Sequence, residues 1–581
     1  MIRHFIRKWL HVLEPANIPS SSVDAPPTAA SDAQATASNI SDLVADARYN
    51  WLQVRERAAR GPKILIATNV PGLHHVSSVE GLLAIALTLR GADVHVLLCD
   101  AVLPGCLRAG PDNVKDPATF ARYELPQTIC PGCLNAGEQT FGPLGLTTHR
   151  LGSLLTADDR GNAREIAAKV PFNEIRSFRL DGLAVGEHAY AGTLRYYARG
   201  DLEKAELAET TLRRYLEASI LMVRAVDALT KKIKFHSSCF HHGIYVPQGL
   251  VGEVMRQNKI PVTTWNPAYR QNTFIFSHND SYHHTMLSED PHVWRDMPWN
   301  SGMETEVMAY LNSRRLGTRD WIWFHEKPVE DYRIFERELG LDPGKPTVGL
   351  LTNVMWDAQL HFAANAFANM REWVFETIRY FAMRPELQLL IRIHPAEIRG
   401  TTPTRQPLLA EIQQAFPTLP ANVFVIPPES QTSTYAAMER CDSVIIYGTK
   451  TGVELSSLGI PVVVGGEAWI RNKGLTLDAS SPQQYRELLD KLPIGKRMDA
   501  ETTQNARKYA YHFFFRRMIP LPFLVPQKGK IYSVAVPGLQ SLGPGCYPGL
   551  DVICDGILKG VPFVYRAETL GIHDRRLESV A

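Results

Sequence analysis

The chain has 581 residues, 45% hydrophobic and 21% charged, with a formal net charge of +2 at pH 7. That length requires at least two cores, the composition excludes wholesale disorder, and the near-neutral charge gives no global reason to expect a nucleic-acid partner. No apolar run reaches the roughly 18–20 residues that span a bilayer, and eight cysteines in so long a chain fit a reducing compartment.

Residues 1–15 place Ile2, Phe5, Ile6, Trp9, Leu10 and Leu13 at helical spacing, with Arg3, Arg7 and Lys8 between them. They read as an amphipathic helix that either touches a membrane surface or packs on a domain. Lacking a small-residue cleavage site, they are not a secretory signal. Residues 16–40 are rich in Ala, Ser, Pro and Thr and read as a disordered linker. The expected location is the cytoplasm, with peripheral contact to the inner membrane as an alternative. Lys63–Thr68 then forms a buried strand run, Pro71-Gly72 a turn, Val76–Arg90 a helix, Gly91 a stop and Val94–Leu98 a second strand. This βαβ unit seeds a parallel sheet. Further strands are expected near Lys232–Phe235 and Val262–Trp265, around a helix over Gly249–Gln257. The rhythm restarts after Asp342–Pro346, with a strand at Thr347–Thr352, a helix from Ala363 to Met383, and strands at Leu387–Ile393, Val423–Ile426, Ser443–Tyr447 and Pro461–Val464. The prediction is α/β: two Rossmann-like doubly wound domains facing a cleft, over 41–330 and 343–500, with a helix and tail over 501–581 packing back across them.

Chemistry is expected at strand ends. His394 follows the apolar run Leu389–Ile391, and Pro395 ends the ladder there. Its imidazole could donate to phosphate or leaving-group charge, or satisfy a local carbonyl. Glu397 lies one turn further on. Gly448, Thr449, Lys450, Thr451 and Gly452 form a turn between a strand and a helix that carries Glu454. The glycines would let backbone N–H groups approach an anion, and the hydroxyls flank a helix N-terminus. Lys450 adds charge or points to solvent; Glu454 either bonds a ribose diol or complements its own helix dipole. Asn353, in the loop Thr352–Asp357, is a further candidate for phosphate contact.

The stretch from Arg392 to Thr476 contains the His394-Pro395 pair, the hydroxyl-rich turn and the loop Gly465–Thr476. It resembles the carboxyl-terminal half of bacterial capsule polysaccharide biosynthesis proteins, which include Kdo transferases. The paired motifs are also similar to those of bacterial sialyl- and polysialyltransferases. The resemblance implies a glycosyltransferase of GT-B architecture that moves a sugar from a nucleotide-sugar donor to a surface glycan or lipid-linked glycan acceptor. It implies His394, Thr449 and Thr451 at the donor phosphate and Glu454 at its ribose. The Thr449-Lys450-Thr451 order departs from the adjacent serines of that pattern. With no Asp-x-Asp, no catalytic metal is expected. Alternatives of the same fold are a sugar-nucleotide epimerase, a CDP-glycerol-type phosphotransferase and a non-catalytic polysaccharide-assembly protein. The first usually carries Asp-Ser-Gly-Gly and paired glutamates, absent here.

A general base would come from the first domain: His75 beside His74, Glu80, or His242 beside His241, where a strand hands over to Gly243. His283 and His284 rank below them. Cys99, Cys106, Cys130 and Cys133 share one loop-rich stretch, the last two at metal-knuckle spacing. They are either a structural metal site, with zinc ahead of iron–sulfur, or buried thiols. The aromatic stretch Lys508–Arg517 reads as a packed helix crossing between domains.

Overall fold

The computed structural model describes residues 40–571, except 111–112, 115, 123–128, 322–327, 359, 361–362, 401 and 528–529. The expected amphipathic helix and the linker up to residue 39 lie outside the described residues, which fall in one compact unit. Among them no helix is long and apolar enough to cross a membrane.

Two sheets organise the unit. The first comprises β1 (Lys63–Ile66), β2 (Asp93–Leu98), β3 (Thr147–Arg150), β4 (Ser237–His241), β5 (Val262–Pro267) and β6 (Thr273–His278), in the order β6-β5-β4-β1-β2-β3. All neighbours pair in parallel except β5 and β6. Between the strands run α1 (His74–Leu89), α2 (Cys130–Phe141), α3 (Val185–Tyr197) and α4 (Ala208–Lys232), followed after the sheet by α5 (Ser301–Arg314). The second sheet comprises β7 (Thr347–Leu351), β8 (Gln388–Arg392), β9 (Val423–Ile426), β10 (Ser443–Ile446), β11 (Val462–Val464) and β12 (Leu477–Asp478), with α6 (Met370–Ala382), α7 (Thr434–Glu439) and α8 (Thr451–Ser457) among them. Its order is β12-β11-β10-β7-β8-β9, parallel throughout. The apolar runs that fill β1, β7, β10 and β11 are buried, as parallel strands covered on both faces must be.

Each lobe therefore reverses strand order beside its first strand, between β1 and β4 in one and between β7 and β10 in the other. In doubly wound sheets such reversals are where ligands bind, outside the carboxyl ends of the strands. The carboxyl-terminal segment returns to the first lobe. α9 (Ala500–Tyr511) packs on α8 and α5, a π-type turn follows at His512–Arg516, and β13 (Ile519–Pro520) pairs antiparallel with β6. α10 (Pro548–Lys559) then lies against α1 and β4.

Two expected elements are displaced. The strand foreseen at Lys232–Phe235 lies at Ser237–His241, because α4 keeps its helical face to Lys232 and places Lys231 and Lys232 in the last turn, where cations favour the helix. The helix foreseen from Ala363 starts at Met370, where Asn369 Oδ1 accepts from Glu372 N at 2.9 Å and so sets the start.

A buried ion cluster joins the lobes. Arg314, at the end of α5, lies 3.1 Å from Glu454 Oε1 on α8 and 2.5 Å from Asp320 Oδ2. Lys450 Nζ sits 2.9 Å from the same Glu454 oxygen and 4.7 Å from the centre of the Tyr269 ring, and the Tyr435 hydroxyl donates to Glu454 Oε2. Against the cost of burial, Arg314 and Lys450 hold the Glu454 carboxyl at about 2. Removing one member of such a cluster leaves its partners charged and desolvated. Glu454→Ala should cost about 3–5 kcal/mol of stability, read as a lowered urea midpoint. A loss below about 1 kcal/mol, the range of a surface pair, would show that the cluster does not hold the lobes.

Candidate functional site

Three neighbouring strand ends of the second lobe converge: β7 delivers Thr352 and Asn353, β8 delivers His394, and β10 delivers Gly448 and Thr449. The β7–β8 ladder extends past its last pair, with Thr352 N donating to Arg392 O at 3.3 Å and His394 N donating to Thr352 Oγ1 at 3.0 Å. Pro395 then turns the chain, and Ala396 N donates to His394 Nδ1 at 3.0 Å. That bond assigns the lone pair to Nδ1, so the proton of a neutral ring sits on Nε2.

Asn353 occupies the switch point. A Cβ on Gly448 would lie 3.6 Å from Asn353 Nδ2, so the glycine keeps the space above β10 open to that amide. Asn353 Oδ1 is buried with no hydrogen-bond partner, a costly state that an incoming donor relieves. Thr449 Oγ1 accepts from Thr451 N at 3.3 Å and lies 3.2 Å from Thr451 Oγ1. The helix they open, α8, is only seven residues long, so side chains rather than a strong axial dipole define this corner.

Four sequence-derived roles change. Glu454 is 1% exposed and its two oxygens are occupied by Arg314, Lys450 and Tyr435, which reassigns it from a ribose contact to the ion cluster. Lys450 goes with it, its ammonium held on Glu454. Gly452 serves packing, since a Cβ there would come within 2.5 Å of Ile446 Cδ1. Glu397 turns from the strand ends toward a depression lined by Thr404, Pro407, Gln413 and Glu429. It accepts from Leu408 N at 3.3 Å, and burial raises its carboxyl to about 7.

In the first lobe, Glu80 is fully buried. Its carboxylate accepts from His241 N at 2.8 Å, from Trp265 Nε1 at 3.1 Å and from the Thr68 hydroxyl, tying the ends of β1, β4 and β5 together. This is a strut beyond reach of any substrate. His75 is half-buried, with its ring edge-on to His241 at 6.1 Å; burial lowers it to about 4. His242, at the β4 end, has φ 68°, a left-handed conformation rarely adopted by a side-chain-bearing residue and often found at functional sites. Its Nδ1 is buried without a partner, and its ring packs 5.0 Å from Tyr245 and 5.1 Å from Tyr282. Burial, followed by Arg195 and His283, holds it well below the usual histidine range, so it is neutral at pH 7.

Residues that sequence reasoning passed over join the two halves. Tyr245 OH donates to Asp357 Oδ1 at 2.7 Å and accepts from Ala358 N at 2.6 Å, docking the Asn353 loop on the first lobe. Arg195 lies 3.3 Å from Asp357 and stacks over Tyr245 and Trp356. Trp469 Nε1 donates to His283 O, and His284 lies 3.3 Å from Glu467. Burial works against charge on His284, yet Asp280 and Glu467 raise it to about 9. The His283-His284 pair, ranked low in the sequence, thus lies at the lobe junction. The only sequence signal was its place just after the sheet.

Cys99 and Cys106 follow β2 and Cys130 and Cys133 open α2, with Cys133 Sγ accepting from Gly72 N at 3.2 Å. Burial raises Cys99, Cys106 and Cys130 to about 12. As they stand, no three His, Cys, Asp or Glu side chains among the described residues form a ready metal-binding group.

No protein-family model and no curated protein matches the chain. Solved structures do match. A beta Kdo 2,4 transferase, KpsC of Thermosulfurimonas dismutans, is 13% identical over 47% of this chain and 79% of its own, with a TM-score of 0.30. The UDP-GlcNAc 2-epimerase of Neisseria meningitidis bound to UDP-GlcNAc is 10% identical over 77% and 94%, with a TM-score of 0.23. That of Methanocaldococcus jannaschii, in complex with UDP-GlcNAc and UDP, is 11% identical over 77% and 96%, at 0.25. The matched structures include Kdo transferases. The doubly wound, two-lobed fold stands on its strand order.

Burial raises Glu80 from 4.5 to about 7 against the pull of Thr68, Trp265 and His241. A carboxyl raised on folding binds its proton more tightly in the native state, so stability is highest below about 4.5 and falls as pH rises through 7. Glu80→Gln copies the protonated form and its hydrogen bonds. The variant should match the parent melting temperature near pH 5 and exceed it near pH 8. A gap independent of pH would mean that Glu80 does not titrate in this window.

Proposed function

We propose that the chain is a glycosyltransferase that takes a sugar from a nucleotide-sugar donor and transfers it to a surface-glycan acceptor. One observation carries this reading: the ends of β7, β8 and β10 gather Asn353, His394 and the Thr449–Thr451 turn at one switch point, opposite the β4 end that carries His242. An unpartnered amide oxygen, an Nε2–H donor and two hydroxyls suit a nucleotide's ribose-phosphate portion.

In this account the donor diphosphate lies across the second-lobe strand ends. As the glycosidic bond to phosphate breaks, negative charge grows on the leaving oxygen, and His394 Nε2–H donates to it. A donor already oriented needs no reorganisation as charge develops, which is why such a group stabilises the transition state more than the ground state. His242, neutral at pH 7 and carried by the β4 end of the other lobe, accepts the proton of the acceptor hydroxyl. Arg195, Tyr245 and Asp357 keep the Asn353 loop seated while both substrates bind. Glu80 positions His241 and, through it, the β4 end.

A thermal-shift panel of nucleoside mono- and diphosphates identifies the donor nucleotide, and steady-state nucleotide release from the corresponding sugar donor then tests the roles. His394→Ala should lower kcat about a hundredfold with a smaller change in KM, the scale for one preorganised donor, with the melting curve unchanged. His242→Ala should abolish the acceptor-dependent rate while leaving the nucleotide-induced thermal shift intact. Full activity in a well-folded His394→Ala variant would remove the phosphate role.

A further inference from the structure

Glu397 follows the His394-Pro395 pair in the single helical turn Ala396–Arg399. It is 1% exposed, and while its Oε2 accepts from Leu408 N at 3.3 Å, its Oε1 has no hydrogen-bond partner. A buried carboxyl oxygen left unpaired carries a desolvation cost that an incoming donor relieves. The residue borders a surface depression of about 190 Å³. Ile398, Pro407, Leu409 and Pro428 make its wall apolar, Glu429 stands at its exposed rim, and no basic side chain among the described residues lines it. The same depression underlies a contact between the lobes. Glu397 O accepts from Thr404 N at 2.7 Å, so the carbonyl and carboxyl of one residue hold both ends of the segment Thr404–Leu408. Between those ends Arg405 N donates to Ala198 O at 2.9 Å, just past α3 in the first lobe. Gln406 Oε1 accepts from Gly200 N at 2.8 Å, and its Nε2 donates to Asp201 Oδ2 at 2.8 Å.

We propose that this depression is a binding site for a small aliphatic amine, whose primary ammonium donates to Glu397 Oε1 while its alkyl body lies on the apolar wall. An ammonium brings N–H donors and a positive charge, and its hydrogen bond to a carboxylate is stronger than one between neutral groups. The Glu429 carboxylate adds attraction at the rim, and two acidic side chains with no basic one disfavour an anion. The volume is below the roughly 300–1,000 Å³ of pockets for drug-sized ligands, which limits the occupant to a small molecule. Burial raises the Glu397 carboxyl to about 7, and an ammonium beside it favours the ionised form. Bound there, the amine braces Thr404–Leu408 and with it the docking of that segment on Ala198–Asp201. The site therefore strengthens one seam between the lobes, whichever reaction the cleft performs.

Isothermal titration of the full-length chain with n-butylamine, at constant ionic strength and with n-butanol as the uncharged counterpart, tests the proposal. Butylamine should bind saturably and butanol should not. Glu397→Gln, which keeps an acceptor for Leu408 N, should weaken the amine about tenfold or more, the scale of a hydrogen bond to a charged group. Glu429→Gln, at an exposed position that folding tolerates, should weaken it several-fold. In the wild type, butylamine should slow amide exchange over residues 404–411 and 198–201. None of these readouts involves a nucleotide or a sugar, so their failure would leave the proposed activity standing, and the reverse. Absence of saturable binding to the wild type, equal binding of butanol, unchanged affinity in both variants, or exchange protection confined to other segments would each overturn the site.

Discussion

Arg314, Glu454, Lys450 and Asp320 bury four formal charges where the two lobes meet, and the cleft depends on how they pair. Desolvating such groups is costly, and only close pairing with further hydrogen bonds, here from Tyr310 and Tyr435, recovers the cost. The pairing is directional. Arg314 ends α5, which precedes the second lobe, while Glu454 and Lys450 open α8 within it. The turn Gly448–Thr451 is thereby held against the first lobe by charges that tolerate no gap. This is a different use of Glu454 from a ribose contact, and it explains a carboxylate at full burial on a helix so short.

Around that anchor the two halves of the cleft are built by contrasting electrostatics. The first-lobe histidines at the β4 end are kept neutral by burial, with His242 and His75 further disfavouring charge on His241, and Arg195 and His283 on His242. The second-lobe strand ends instead present donors and an unpartnered amide. A base that stays unprotonated facing donors ready for anionic charge is the division of labour that a group transfer from phosphate to hydroxyl needs. Glu80 belongs to neither half. Its three acceptor contacts fix β1, β4 and β5 relative to one another, and its raised pKa reflects that burial.

The strand rhythm was legible wherever strands were apolar runs: β1, β7, β8, β10 and β11 fall where hydrophobic periodicity places them. It failed where side chains were polar. β4 reads Ser237, Ser238, Cys239, Phe240, His241, and its serines are satisfied by Ile557 O and Pro261 O from distant chain. β3, with Thr147, Thr148, His149 and Arg150, gave no signal either. His394 was legible because an apolar run followed by proline marks a strand end, but its tautomer depends on Ala396 N and needed coordinates. Glu454 was misread because its partner Arg314 comes from another part of the chain, and no local pattern announces a long-range ion pair. The role of Tyr245 was hidden for the same reason.

The central claim is that the strand ends of β7, β8 and β10 hold the phosphate of a nucleotide donor, and co-crystallisation tests it most directly. A crystal structure of the full chain with the nucleoside diphosphate that stabilises it most should place a phosphate oxygen within hydrogen-bond distance of His394 Nε2. It should also place a second polar group of the nucleotide on Asn353 Oδ1 or Thr449 Oγ1. A nucleotide bound elsewhere, with Asn353 Oδ1 still unpartnered and His394 untouched, would contradict the account.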